Sequence, residues 1–218
     1  MPIQPARVKD CLSTFDFHGL FVEQLGWSQP GQTKSTGFLI GDEEFARRQI
    51  AQLGGVFVFE VTCAPGDIPS AKSRAAVHKE VAALHHENLL IFVNRERTQS
   101  LWYWVKREDG KNYPRDHYFE INQPGDLFLA KLSALVFEIG ELDATVDVPV
   151  IEVAKRLRAA LDIERVTRKF YDEFRAQHLA FIDLIGGIPN EHDRKWYASV
   201  LLNRLMFIYF LQKKRLHR

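Results

Sequence analysis

Val56-Phe-Val-Phe-Glu-Val-Thr62 decides the fold class. The run is continuous, β-branched and aromatic, and Glu60 is its one charged residue, so it describes a central strand covered on both faces. Reading outward toward the C-terminus, Ser70 stands as the N-cap of a helix reaching about residue 85, with Ala75, Val77 or His78, Val81 and Leu84 turned inward. Residues 89–94 form a second buried strand. Residues 100–107 alternate Leu101, Tyr103 and Val105 against Trp102, Trp104 and Lys106, a strand with both faces covered. Asp109-Gly110 marks a turn, and residues 118–121 add a short strand before Pro124-Gly125.

Reading outward toward the N-terminus, residues 45–53 alternate as a strand, residues 37–40 are short and apolar, and residues 28–36 form a polar loop. Phe17, Leu20, Phe21 and Leu25 recur at helical spacing, which predicts helical turns over 8–13 and 16–25, closed by Gly26. From Asp126 onward the pattern is helical: 127–137, 150–161, 163–185 and 190–214. The chain therefore reads as α+β. A mixed sheet flanked by helices (residues 1–140) precedes an all-helical module (141–218), with the boundary in the acidic, Pro-containing link at 140–149. The last helix is apolar on nearly every side between Leu201 and Leu211, and such a helix needs a partner to bury it. This is the reason for expecting the chain to be one part of a larger protein.

Hydrophobic residues at 46% and charged residues at 26% fit an ordinary globular composition. The N-terminus lacks a signal peptide's apolar core, no apolar run is long enough for a membrane span, and Cys11 and Cys63 lie in no metal-ligand spacing. A reducing cytoplasm is the expectation. The net charge of +1 is unevenly spread: from Val148 onward there are 14 Lys/Arg against 8 Asp/Glu, and before it 15 against 20. The basic helical end offers Arg165, Arg168, Lys169, Arg194, Lys195, Lys213 and Lys214 as candidate phosphate contacts, with Arg175, Arg204 and Arg215 beside them. Basic residues near helix C-termini also complement the dipole, so charge alone does not assign that role.

Four segments together carry a resemblance: Phe17-His-Gly-Leu-Phe-Val-Glu-Gln-Leu-Gly-Trp27, Leu84-His-His-Glu-Asn-Leu-Leu-Ile-Phe-Val93, Leu101-Trp-Tyr-Trp-Val-Lys106, and the helices around Gly186-Gly-Ile-Pro189. In this order they resemble the N-terminal region of large single-chain, type IIG-like restriction–modification proteins with an adenine-specific DNA methylase. Such proteins often begin with a PD-(D/E)XK nuclease domain, whose skeleton of a helix, three strands, a helix and further strands is the order read above. The resemblance implies duplex DNA and a downstream methylase domain as partners, in phage defence. The glycine-rich S-adenosylmethionine turn and the Asn-Pro-Pro-aromatic motif are absent, so that cofactor would belong to the downstream domain.

The resemblance also implies candidate nuclease residues. Glu23 matches the first-helix acid, Asp42 precedes the second strand, and Glu60 lies near the end of the third. Asp42 and Glu60 would hold Mg²⁺. The pattern asks for a lysine two residues after Glu60, and Thr62 stands there. Lys72 or Lys79 on the next helix would have to replace it. The favoured reading is a catalytically degraded nuclease fold that contacts and positions DNA. The alternatives are an active Mg²⁺-dependent endonuclease using Glu23, Asp42, Glu60 and Lys79, and a protein-interaction module that never touches DNA. A second copy of the chain is a further candidate partner for the apolar last helix. His78, His85 and His86 read as structural, and Trp102-Tyr-Trp104 as sheet-covering core in preference to a base-stacking platform.

Overall fold

The structure, a computed structural model, describes residues 4–123, 125–137, 148–162 and 164–215; the side chains of residues 127, 164–172 and 213–215 lie outside that description. Helix α1 (Pro5–Thr14) opens on a proline, whose missing N–H costs nothing in a first turn. A π-helical turn (Gly19–Gln24) follows, started by the Asp16 carboxylate accepting the Gly19 N–H at 2.9 Å. A β-carbon on Gly19 would stand 2.3 Å from that carboxylate, so glycine is required there.

Six strands then form one sheet in chain order: β1 (Thr36–Ile40), β2 (Glu43–Leu53), β3 (Val56–Cys63), β4 (Glu87–Val93), β5 (Gln99–Glu108) and β6 (Lys111–Glu120). Every neighbouring pair is antiparallel except β3 and β4, which are parallel and joined across the sheet by α2 (Ala71–Leu84). Ser70 caps α2 as read, accepting the Ser73 N–H at 3.1 Å.

Both faces of the central strands are covered, which is why β3 reads as an unbroken apolar run. Val56, Val58, Leu89, Ile91, Trp102 and Trp104 join a core with α1, the π turn, α3 (Asp126–Leu132) and α4 (Val150–Leu161). Phe59, Val61, Leu90, Phe92, Tyr103 and Val105 form the other core, beneath Val77 and Val81 of α2. Residues 60 and 62 share the first face with 56 and 58, and this places the site described below.

Two expectations about element lengths change. The strand expected at 118–121 is ten residues long, because Asp109 and Gly110, both at positive φ, turn the chain back into full register from Glu108↔Lys111 to Gln99↔Glu120. Its mostly polar sequence and Pro114 hid it, as suits an edge strand with one solvated side. The helix expected over 127–137 stops at Leu132 and tightens into a 3₁₀ turn (Ser133–Leu135). The extended segment that follows meets the π turn, where the Phe137 N–H donates to the Leu25 carbonyl.

The chain divides into two compact units, Met1–Asp162 and Ile163–Arg218. The boundary lies later than the link at 140–149, most of which is outside the described residues. Helix α4 belongs to the first unit because Val153, Leu157, Ala160 and Leu161 are buried in its core. Asp162, at the end of α4, is held by Lys106 at 3.3 Å and Arg115 at 2.9 Å, and these two cations keep its carboxyl below the usual range despite burial, which acts the other way.

In the second unit α5 (Glu164–Leu184) and α6 (Glu191–Arg215) pack with Ile182 and Ala198 buried, and His178 is hydrogen-bonded to Ser199 at 3.0 Å. Leu205 and the run Phe207–Leu211 are exposed rather than enclosed by the unit's own fold. Among the described residues no helix is long and apolar enough to cross a membrane.

Candidate functional site

Beyond the end of α1 the sheet face that carries Glu60 lies open. Along it the register sets Arg48 across from Glu60 and Ala46 across from Thr62. A metal-dependent nuclease would need a second carboxylate on β2 and a lysine on β3 at these positions; an arginine, an alanine and a threonine occupy them. Glu60, with a nearly buried side chain, is gripped by two guanidinium groups. Arg97 holds it fork to fork, Nη1 to Oε1 at 2.9 Å and Nη2 to Oε2 at 3.3 Å, while Arg48 Nη2 reaches Oε2 at 3.2 Å. Arg97 also donates to the Phe15 carbonyl at 2.7 Å, tying the clamp to the end of α1.

The loop that delivers Arg97 is built by Asn94. The Asn94 side-chain oxygen accepts the N–H groups of Thr98 and Gln99, both at 2.9 Å, and its side-chain nitrogen donates to the Thr98 hydroxyl. This small frame holds Arg97 at φ +52°, a left-handed conformation that costs a branched-free L-residue about 1 kcal/mol. Arg95 of the same loop donates to the Ala64 carbonyl at 2.9 Å. Between this loop and β2 runs a cleft of about 510 Å³ with Ala46, Thr62, Cys63 and Ala64 along it, Arg95 and Arg97 on one side and Glu44 at the far lip.

The four candidate nuclease residues are not brought together. Asp42 sits exposed in the β1–β2 turn, six residues along β2 from the Arg48↔Glu60 pair, or about 20 Å at strand spacing. Asp42 and Glu60 therefore cannot share one ion. Glu23 is exposed in the π turn. Its charge is felt by Cys11, whose thiol is pushed up by burial first and then by Asp16, Asp10 and Glu23. Lys79 and Lys72 are exposed on α2, which covers the opposite face of the sheet. Among the described residues no three His, Cys, Asp or Glu side chains are grouped to hold a metal ion, and the residues around Glu60 do not fit Mg²⁺.

The remaining candidates resolve as follows. Cys63 is likewise pushed up, by burial and then by Glu43, so neither thiol is activated for nucleophilic attack. Trp102 and Trp104 are buried in the core. In the helical unit Lys195 is paired with Glu191 at 2.6 Å and Arg194 is half-buried, while the side chains of Arg165, Arg168, Lys169, Lys213 and Lys214 lie outside the described residues.

The three histidines separate. His86 pairs with Glu87, itself held by Arg107 at 2.5 Å, and His85 packs on the rings of Phe57 and Phe59. His78 is buried against Tyr103, and its pKa falls to about 4, first because burial disfavours the cation and then through Arg107 and His86. Because the folded value lies below the unfolded one of 6.5, the neutral ring stabilises the fold above pH 6.5, and that contribution is lost as pH falls toward 4. By pH 5 the loss is about 2 kcal/mol. Urea melts of His78→Phe between pH 7 and 4.5 are expected to lose most of this dependence; an unchanged slope would place the titrating group elsewhere.

No protein-family model, curated protein or solved structure matches this chain.

Arg48, Asn94, Arg95 and Arg97 are the site residues that the sequence pattern did not single out. The signal available was Asn94-Arg-Glu-Arg-Thr98, a polar turn between two buried strands that carries two arginines.

Proposed function

We propose that this chain is the DNA-contacting and positioning region of a cytoplasmic restriction–modification methylase, with a nuclease-like body that has lost its metal chemistry. One observation carries the reading: where cleavage would need a metal held by Glu60 and a neighbouring carboxylate, Glu60 is saturated by Arg48 and Arg97. With three of its acceptor positions taken and its charge compensated by two guanidinium groups, this carboxylate is a poor ligand for a hard cation. The order helix, three-strand meander, crossover helix and parallel strand supports the nuclease-like assignment, and the resemblance of the four quoted segments supports the methylase association. The methylase chemistry and its S-adenosylmethionine would reside in a domain outside these residues.

A second reading, a protein-docking module without DNA contact, draws on the exposed Phe207–Leu211 run of α6, since apolar surface of that extent marks interaction sites. In the leading reading the same run seats the methylase domain.

Incubation of the purified chain with plasmid and Mg²⁺ or Mn²⁺ is expected to give no cleavage. Affinity for duplex DNA is expected to fall steeply with salt, with a log–log slope of about −0.9 per phosphate neutralised. A flat or absent salt response would replace this reading with the docking module. Cleavage abolished by Glu60→Ala would replace it with the endonuclease.

A further inference from the structure

We infer that the cleft beside Glu60 is a phosphate site that works without a metal ion, its positive charge supplied by Arg95 and Arg97, which line it, and by Arg48, paired with Glu60 next to it. The ligand chemistry is a phosphate group, presented by a nucleic-acid strand or by free phosphate; the strand as its source rests on the DNA-contacting reading above.

One carboxylate is shared by two guanidinium groups, so the clamp keeps a unit of positive charge, and Arg95 adds another at the cleft. Four other acids are near, of which Glu43 and Asp67 act on the Cys63 thiol along the cleft. Glu44 stands at the far lip, four strand residues from Arg48, or about 13 Å. Glu96 is exposed on the loop and accepts from the Asn94 side chain. An anion set against the clamp meets the arginines first.

Donor geometry agrees. Glu60 and the carbonyls of Phe15 and Ala64 take only part of the N–H groups of the three arginines. Arg48 and Arg95 are exposed, and no Arg97 nitrogen is a sealed orphan. Arg48 and Arg95 therefore each keep a free edge, while Arg97, committed to Glu60 and the Phe15 carbonyl, keeps single N–H groups. A tetrahedral phosphate can accept from several such edges at once, whereas a carboxylate has only two oxygens to offer.

The floor agrees too. Ala46, Thr62 and Ala64 leave room for a ligand, the Thr62 hydroxyl is exposed beside them, and the volume is that of a small-ligand site. The left-handed Arg97 adds a further indication, because backbone strain fixed by a dedicated side-chain frame is what a preorganised site requires.

The test uses the full chain in EDTA, with anisotropy of a short fluorescein-labelled duplex and thermal melts in inorganic phosphate. Arg48→Ala and Arg95→Ala are each expected to weaken duplex binding about tenfold and to reduce the salt slope by about 1. Phosphate is expected to raise the wild-type melting midpoint and to lose that effect in both variants. Lys79→Ala, on the opposite sheet face, should behave as wild type. Duplex binding untouched by both arginine variants would overturn the site and leave the DNA-contacting reading standing. An arginine-dependent phosphate shift without duplex binding would uphold the site with free phosphate as its source and overturn that reading. Silence in both assays would remove both, and binding that EDTA abolishes would return the charge to a metal.

Discussion

Glu60→Ala is expected to destabilise the fold by about 3 kcal/mol, the low end for removing one member of a buried ion pair, because the two arginines left behind are half-exposed and can hydrate. In a chain of this size that is a fall in melting midpoint of roughly 6–12 °C. Glu60→Gln, which keeps the volume and one acceptor oxygen, should cost about half as much. The direction separates the two roles open to this residue. As a clamp, Glu60 is held at 2.9 to 3.3 Å by cations, so its loss frees like charges to repel and unties the end of α1 from the β4–β5 loop. As a metal ligand it would be a negative charge held ready for a cation, and its removal would leave stability unchanged or improved while ending Mg²⁺-dependent cleavage. Differential scanning fluorimetry of the two variants beside a plasmid assay reads both. A stable Glu60→Ala protein that has lost a cleavage activity would reverse the assignment.

How much of this was legible in the sequence follows from what each feature depends on. The central strands and α2 were legible because burial on both faces writes an unbroken apolar run, and because Ser70 caps the helix by a local hydrogen bond. The role of Glu60 was not, because it depends on which residue stands opposite. In the β2–β3 hairpin Leu53 pairs with Val56 and Ala51 with Val58, a register that, if continued, would set Gln49 across from Glu60. A bulge between Gln49 and Ala51 inserts Ile50 as an extra residue and brings Arg48 there instead. One unpaired residue thus decides whether the strand end meets an amide or a cation. Arg97 arrives from a different loop, 37 residues on, in a conformation fixed by the Asn94 side chain. Residue type and spacing show the carboxylate; only the three-dimensional register shows its partners.

The same dependence explains α6. Its apolar residues were legible, and so was the need for something to cover them, but composition carries no record of whether the cover is internal. The Phe207–Leu211 run is exposed. The connector and docking readings both require a partner there, and the duplex measurements are what separate them.

Trp102→Ala is the second large effect, expected to cost about 4 kcal/mol by opening a cavity in the larger core. The indole is fully buried. It sits edge-on to Phe17 with ring centroids 5.7 Å apart, stacked on Phe21 at 5.7 Å, and edge-on to Phe128 at 5.3 Å. It therefore joins the N-terminal helical turns, the sheet and α3, and no base could reach its face without dismantling that junction. Its N–H is sealed from solvent without a hydrogen-bond partner among the described residues, a group that costs about 1–3 kcal/mol to leave unpaired. Trp102→Phe gives up ring volume but also removes that donor, so it should cost far less than alanine, under about 1.5 kcal/mol. Urea melts followed by far-UV circular dichroism, with single-strand affinity measured in parallel, test the assignment. A platform for unpaired bases would show the reverse pattern: little change in melting midpoint for either variant and a loss of single-strand binding with alanine.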